Sequence, residues 1–213
     1  MSTPPLATLA GANVLFAMAA DAEYGEHLKK LFKPLMIGVG PVEAAIAITR
    51  ALAGLEAAGK LPDFVVSLGS AGSRRLKRAE VYQVASIAYR DMDASAFGFE
   101  KGVTPFVDLP ATQALPFRIP GVEVATLSTG ASVVAGAIFD SIDEDMVDME
   151  TFACLRACQT FGVPLIGLRG ISDGEGDVSH IGDWTEYLHL VDEKLADAVR
   201  KLEAAIASGA ICI

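Results

Sequence analysis

Three observations predict a single α/β domain with helices on both faces of a buried sheet. Short apolar runs alternate with segments of helical periodicity along nearly the whole chain. Hydrophobic residues make up 52% of the sequence and the mean hydropathy is +0.40, yet the longest apolar runs, residues 14–20 and 165–168, are far too short to cross a bilayer. That apolar content therefore belongs to a sheet covered on both faces, and in part to an apolar subunit interface. A length of 213 residues suits one domain spanning 1–213.

Residues 13–20 (NVLFAMAA) read as the first buried strand, and 1–12 as a loosely ordered extension without the basic start of a signal peptide. In 21–32, Leu28, Leu31 and Phe32 have helical spacing, and Pro34 ends that pattern before a second strand at 35–39. Gly38 and Gly40 make a turn into a helix from Pro41 to about residue 58, since proline suits a first helical turn. A third strand, 64–68, runs into GSAGS at 69–73, read as a tight turn or an anion nest. Further strands are expected at 80–89, 122–128, 146–149 and 164–169, with a helix at 150–161. A long amphipathic helix closes the chain at about 184–207, with Leu188, Val191, Leu195, Val199 and Leu202 on one face.

A net charge of −10 and a pI near 4.7 disfavour nucleic acid and anionic membranes as partners. Three cysteines, Cys154, Cys158 and Cys212, do not make a disulfide framework, so a reducing cytoplasm is the simplest setting. Neither Cys154 and Cys158 nor the three histidines His27, His180 and His189 complete a metal-binding pattern, and no metal or cofactor is expected.

Ligands of open α/β folds bind beyond the carboxyl ends of strands. Asp21 and Glu23, the 69–73 turn, Asp148 and Glu150, and Arg169, Ser172 and Asp173 all stand at such ends. These residue types point to acid–base work by carboxylates beside a hydroxyl- or anion-binding turn, without naming a substrate.

Four segments in order carry a resemblance: AMAADAE at 17–23, GSAG at 69–72, DMDASAFGFEKGVTP at 91–105, and VDMET at 147–151 followed by FGVPLIGLRGISD at 161–173. Together they resemble the 5'-methylthioadenosine/S-adenosylhomocysteine nucleosidases. The resemblance implies a three-layer α/β/α sandwich with a mixed central sheet, a homodimer, and hydrolysis of an N-glycosidic bond with release of adenine. On the matching positions Asp173 is the general acid at adenine N7, Glu150 holds the ribose hydroxyls, and Met149 packs beneath the sugar. Ser70 helps bind the nucleophilic water, with Ala71 and Gly72 beside it. The Val133 backbone reads the adenine edge, and Ser132 replaces a stacking phenylalanine. Arg169, Asp148 and Ser172 support the carboxylates and the substrate, Met18 belongs to the first segment's wall, and the neighbouring subunit brings Phe97 and Pro105. The family's water-activating glutamate lies two residues beyond A-M-x. Asp21 takes that position, with Glu23 the second candidate.

Two other readings compete. A phosphorylase of the same superfamily would need cations at the anion site, and Arg74 and Arg75 are the unplaced ones. A nucleoside-binding protein without catalysis would follow if the exchange of glutamate for Asp21 had removed the base.

Overall fold

The computed structural model describes residues 4–174 and 184–212. Among them one mixed sheet of nine strands is sandwiched between helices, the three-layer arrangement that the sequence implies. Its centre is β4 (Phe64–Gly72), flanked in parallel by β2 (Ala12–Met18) and by β9 (Leu165–Asp173). From β9 the sheet continues antiparallel to β5 (Val81–Tyr89), which runs parallel to β7 (Val124–Thr129), itself parallel to β8 (Met146–Asp148). A single antiparallel bridge, Gly72 to Val147, brings β8 back to β4. Strands β4, β9, β5, β7 and β8 therefore close a ring, and the carboxyl ends of β4 and β8 meet. The short β3 (Leu35–Met36), β1 (Ala7–Leu9) and β6 (Thr112–Ala114) extend its edges.

Strands buried on both faces must be apolar throughout. The segment 14–18 and most of β4 and β9 are fully buried. One face carries α1 (Pro41–Ala57) and α2 (Thr151–Thr160), which pack on each other and on Leu15, Val65, Val84 and Leu165. Pro41 stands in the first turn of α1, and the preceding Gly40 has φ 95°, a conformation that glycine adopts without strain. The other face carries α3 (Leu188–Ala207), whose Leu188, Val191, Leu195, Val199 and Leu202 recur at helical spacing, the last four in one core cluster with Phe16, Phe64, Val66 and Ile166. Each such leucine contributes about 1.5–3 kcal/mol by leaving water. No helix among the described residues is long and apolar enough to cross a membrane.

Three expectations are corrected. The N-terminal stretch is not loose from residue 7 onward, because Ala7–Leu9 pairs with β2 and Leu9 is buried. Residues 21–32 form no continuous helix but two 3-10 turns, Asp21–Glu23 and Leu28–Lys30. What fixes that segment is a carboxylate from α3: Asp192 accepts the backbone N–H groups of Gly25, His27 and Leu28 at 2.8–3.1 Å, and a Cβ on Gly25 would lie 2.5 Å from it. The GSAG segment is strand to its last residue, with a register shift between Ala71 and Gly72 in place of a turn. His27 lies against the same Asp192, Cys154 and Cys158 are buried on α2, and His180 falls outside the described residues.

Candidate active site

The carboxyl ends of the central strands surround a cavity of about 490 Å³. Its walls bring together Glu23, Ser70, Ala71, Gly72, Ser132, Val133, Asp148, Met149, Glu150, Ser172 and Asp173 from the sequence prediction. Ala19, Ala20, Val39, Arg90, Val134, Val147 and Trp184 complete the lining.

Glu23 stands on the turn after β2 and is 6% exposed. Its Oε1 accepts the Ser70 backbone N–H at 2.7 Å and the Ser70 hydroxyl at 2.6 Å. Among the described residues its Oε2 is buried with no partner, a position that a bound water would satisfy. Burial pushes the carboxyl above its ordinary pKa, against the two Ser70 hydrogen bonds and the charge of Arg169. Asp173 ends β9, and burial raises its pKa too, opposed by the Ser172 hydroxyl at 3.2 Å and by Arg78.

The glycines of GSAG make room for these two groups. A Cβ on Gly69 would come within 3.0 Å of Glu23 Oε1, and one on Gly72 would collide with Asp173 Oδ1. The motif is a close approach of backbone to two carboxylates, with Ser70 between them.

Glu150 precedes α2 and accepts the Gly40 N–H at 2.8 Å. Burial, then the neighbouring charge of Asp148, lifts its pKa to about 7. Asp148 borders the cavity, but its oxygens are occupied: the Thr129 hydroxyl donates at 2.6 Å, the Thr151 N–H at 3.0 Å, and Arg169 through Nη2 at 2.9 Å and Nε at 3.1 Å. Arg169 is 2% exposed and also donates to Ser67 O and Oγ. Arg169 stands behind the wall, and through Asp148 it holds the strand end from which Met149 and Glu150 follow.

Arg90 and Trp184 were not anticipated. Arg90 follows β5 and donates to the carbonyls of Ser128, Asp148 and Ser132 at 2.6–2.9 Å. Asp91 accepts the Ala131 N–H. The two residues hold the 130–134 loop in place. Their signal was their position at a strand's carboxyl end, just where the third motif begins. Trp184 donates its indole N–H to Ser70 Oγ at 2.8 Å.

Several predicted positions lie elsewhere. Asp21 is exposed and does not line the cavity, whereas Glu23 is buried and does. Met18 is wholly buried in the core with Phe16 and Leu28. Phe97, 85% exposed, and Pro105 do not line the cavity of the single chain. Arg74 pairs with Asp140 and stacks on Phe139, while Arg75 donates to the carbonyls of Ile142, Asp143 and Glu144, so neither offers its charge to the cavity. Among the described residues no group of three or more His, Cys, Asp or Glu could hold a metal ion.

Residues 34–207 match the family model described as Phosphorylase superfamily. The 5'-methylthioadenosine/S-adenosylhomocysteine nucleosidase of Actinobacillus succinogenes is 35% identical over 196 residues, covering 82% of this chain and 81% of that one. The chain belongs to this nucleosidase family of the phosphorylase superfamily. It is accordingly an N-glycosyl hydrolase. The Bacillus subtilis nucleosidase is 31% identical over 69% of this chain and 70% of its own length. The crystal structure of the Neisseria meningitidis nucleosidase with methylthio-immucillin-A shares the fold at a TM-score of 0.74 and 22% identity, covering 92% of this chain and 98% of that one.

Replacing Arg169 by Met leaves Asp148 buried without its counter-charge. The expected loss is about 3–5 kcal/mol of folding stability, read as a lower urea midpoint at unchanged slope. A midpoint within error of wild type would show that the pair does not hold the site.

Proposed function

We propose that this nucleosidase hydrolyses 5'-methylthioadenosine or S-adenosylhomocysteine to adenine, with Asp173 as general acid and Glu23 as the base that activates water. The observation that carries the reading is a pair of carboxylates on one cavity, Glu23 buried and Asp173 partly buried, with one Glu23 oxygen unpartnered among the described residues. Asp173, its pKa raised by burial, holds the proton that adenine N7 takes as the glycosidic bond lengthens. Protonated adenine leaves readily and the sugar becomes oxocarbenium-like. Water between Glu23 Oε2 and Ser70 gives its proton to Glu23 and adds to the anomeric carbon. Glu150 accepts the ribose hydroxyls, Met149 packs beneath the sugar, and the Val133 backbone reads the adenine edge. The small Ser132 leaves stacking to the valines around it.

Hydrolysis is favoured over phosphorolysis by the charges. Arg90 is the cation lining the cavity among the described residues, and its Nη groups go to backbone carbonyls. The partnerless oxygen of Glu23 would repel phosphate where water is welcome.

The same reading includes a homodimer. Val39, Val42 and Ile46 at the start of α1, with Phe97, Phe106, Val133 and Ile138, are exposed apolar side chains, and Val39 and Val133 also line the cavity. A second copy covering them would close the cavity and bring its own Phe97 and Pro105 to the 5' end of the substrate.

The decisive assay measures adenine released from 5'-methylthioadenosine with and without phosphate. Release independent of phosphate, with Asp173→Asn lowering kcat by at least about a hundredfold, is expected; release only with phosphate would make the enzyme a phosphorylase. Sedimentation equilibrium tests the dimer, and a fully active monomer would remove Phe97 and Pro105 from the site. The ribose hydroxyls need Glu150 ionised, and its pKa of about 7 leaves much of it protonated in the free enzyme at neutral pH. Hence kcat/KM should fall as pH drops through about 7. Glu150→Gln should lose that limb, with kcat/KM about ten- to a hundredfold lower throughout; an unchanged limb would assign it to another group.

A further inference from the structure

Ser70 has one hydroxyl proton and two neighbours competing to set its direction. Its Oγ lies 2.6 Å from Glu23 Oε1 and 2.8 Å from Trp184 Nε1. An indole nitrogen only donates. The Ser70 proton therefore cannot serve Trp184 and is left for Glu23, while the oxygen lone pair takes the indole N–H. The Ser70 backbone N–H donates to the same Oε1 at 2.7 Å, so one oxygen of Glu23 accepts two hydrogen bonds and the other, Oε2, has no donor among the described residues.

We propose that Trp184 is a positioning residue for the hydrolytic water: by donating to Ser70 Oγ it commits the Ser70 proton to Glu23 Oε1 and leaves Oε2 as the oxygen that receives the proton of the water. The inference rests on the assignment of Glu23 as base and adds a residue that acts on it through Ser70. Hydrogen bonds in such a chain polarise one another in a dry site, and donation to the ionised carboxylate favours that form. The charged groups around Glu23 are Arg169 from β9, Glu150 at the start of α2 with Asp148 beside it, and Asp21 on its own turn. A change at Trp184 leaves their charges as they are, so an effect on Glu23 from this side travels through Ser70. Trp184 is the single tryptophan of the chain, and phenylalanine in its place keeps an aromatic wall while removing the N–H.

The test is a double-mutant cycle on steady-state 5'-methylthioadenosine hydrolysis across pH, with wild type, W184F, S70A and the double variant. W184F should lower kcat about tenfold with KM changed less than about threefold. Its acid limb in kcat should move to higher pH, because an ionised Glu23 that has lost donor support is protonated earlier as pH falls. In the S70A background W184F should have no further effect on kcat. Additive losses, or a raised KM with kcat and its acid limb unmoved, would overturn the proposal and leave Trp184 a wall. Glu23→Gln separates this failure from that of the underlying reading: wild-type kcat in that variant removes Glu23 as base, whereas its loss together with additive W184F and S70A effects removes only the relay.

Discussion

The ion pair between Arg169 and Asp148 is the constraint on which the site depends. β8 and β9 do not pair with each other; both border β4. The guanidinium crosses that gap, bonding Asp148 on β8, Ser67 on β4 and the Leu168 carbonyl on its own strand. Asp148 in turn takes Thr129 from β7 and Thr151 from α2, and Thr129 Oγ1 accepts the Phe152 N–H at 3.0 Å. One fully satisfied polar network therefore fixes four strands and a helix at the end of the sheet where the cavity opens. Such a network is weak as a source of net stability but costly to break, because either partner left alone is an uncompensated charge in the interior. Met149 and Glu150 follow Asp148 directly in the chain, so fixing it fixes them.

Around this pair the fold buries Glu23 and Glu150 and partly buries Asp173, each with its pKa raised chiefly by desolvation. The folded state holds their protons more tightly than the unfolded chain does. Their contribution to stability is therefore present at low pH and is lost as pH rises from the ordinary carboxylate range through the raised values, about 7 for Glu150. The site thus opposes the fold it sits on at neutral pH, and the apolar layers against α1, α2 and α3 offset it. Asp173 and Glu23 differ in their neighbours: Asp173 has the Ser172 hydroxyl at 3.2 Å, whereas Glu23 has two donors on a single oxygen.

Much of this was legible in the sequence. Alternating apolar runs gave the layered sheet, and the long R-x-I-S-D and V-D-M-E segments led to Arg169, Asp173 and Glu150. The sequence placed Asp21 ahead of Glu23 at the cavity for a physical reason. Sliding the first segment by two residues keeps every side chain of a strand on the same face, so A-M-x-x-[DE] on 17–21 and A-A-x-x-E on 19–23 cannot be told apart by pattern. Only the depth of the strand decides: β2 ends at Met18, which is core, and the chain turns so that Glu23 enters while Asp21 stays in water. GSAG was read as a turn because glycine most often marks one. Its glycines instead admit carboxylates from two other segments, contacts made by residues 47 and about 100 positions away that no local reading contains. Residues 21–32 kept a helical spacing that tertiary contact overrode, since Asp192 captures three of their N–H groups.

The choice of water as nucleophile follows from how the few cations near the cavity are used. Arg169 is turned to Asp148 and Ser67, Arg90 to three carbonyls, Arg74 to Asp140, and Arg75 to the carbonyls of 142–144. Each of these four guanidinium groups organises backbone or a neighbouring acid, so its positive charge is already committed to the protein. What remains facing the cavity is carboxylate, hydroxyl and apolar surface. A neutral molecule that can donate to Glu23 Oε2 fits that surface, whereas a dianion would bring its charge against an acid in a medium of low dielectric, where the repulsion is strongest. The arginines that could have made a phosphorylase are thus the same residues that brace the loops and strand ends around the cavity.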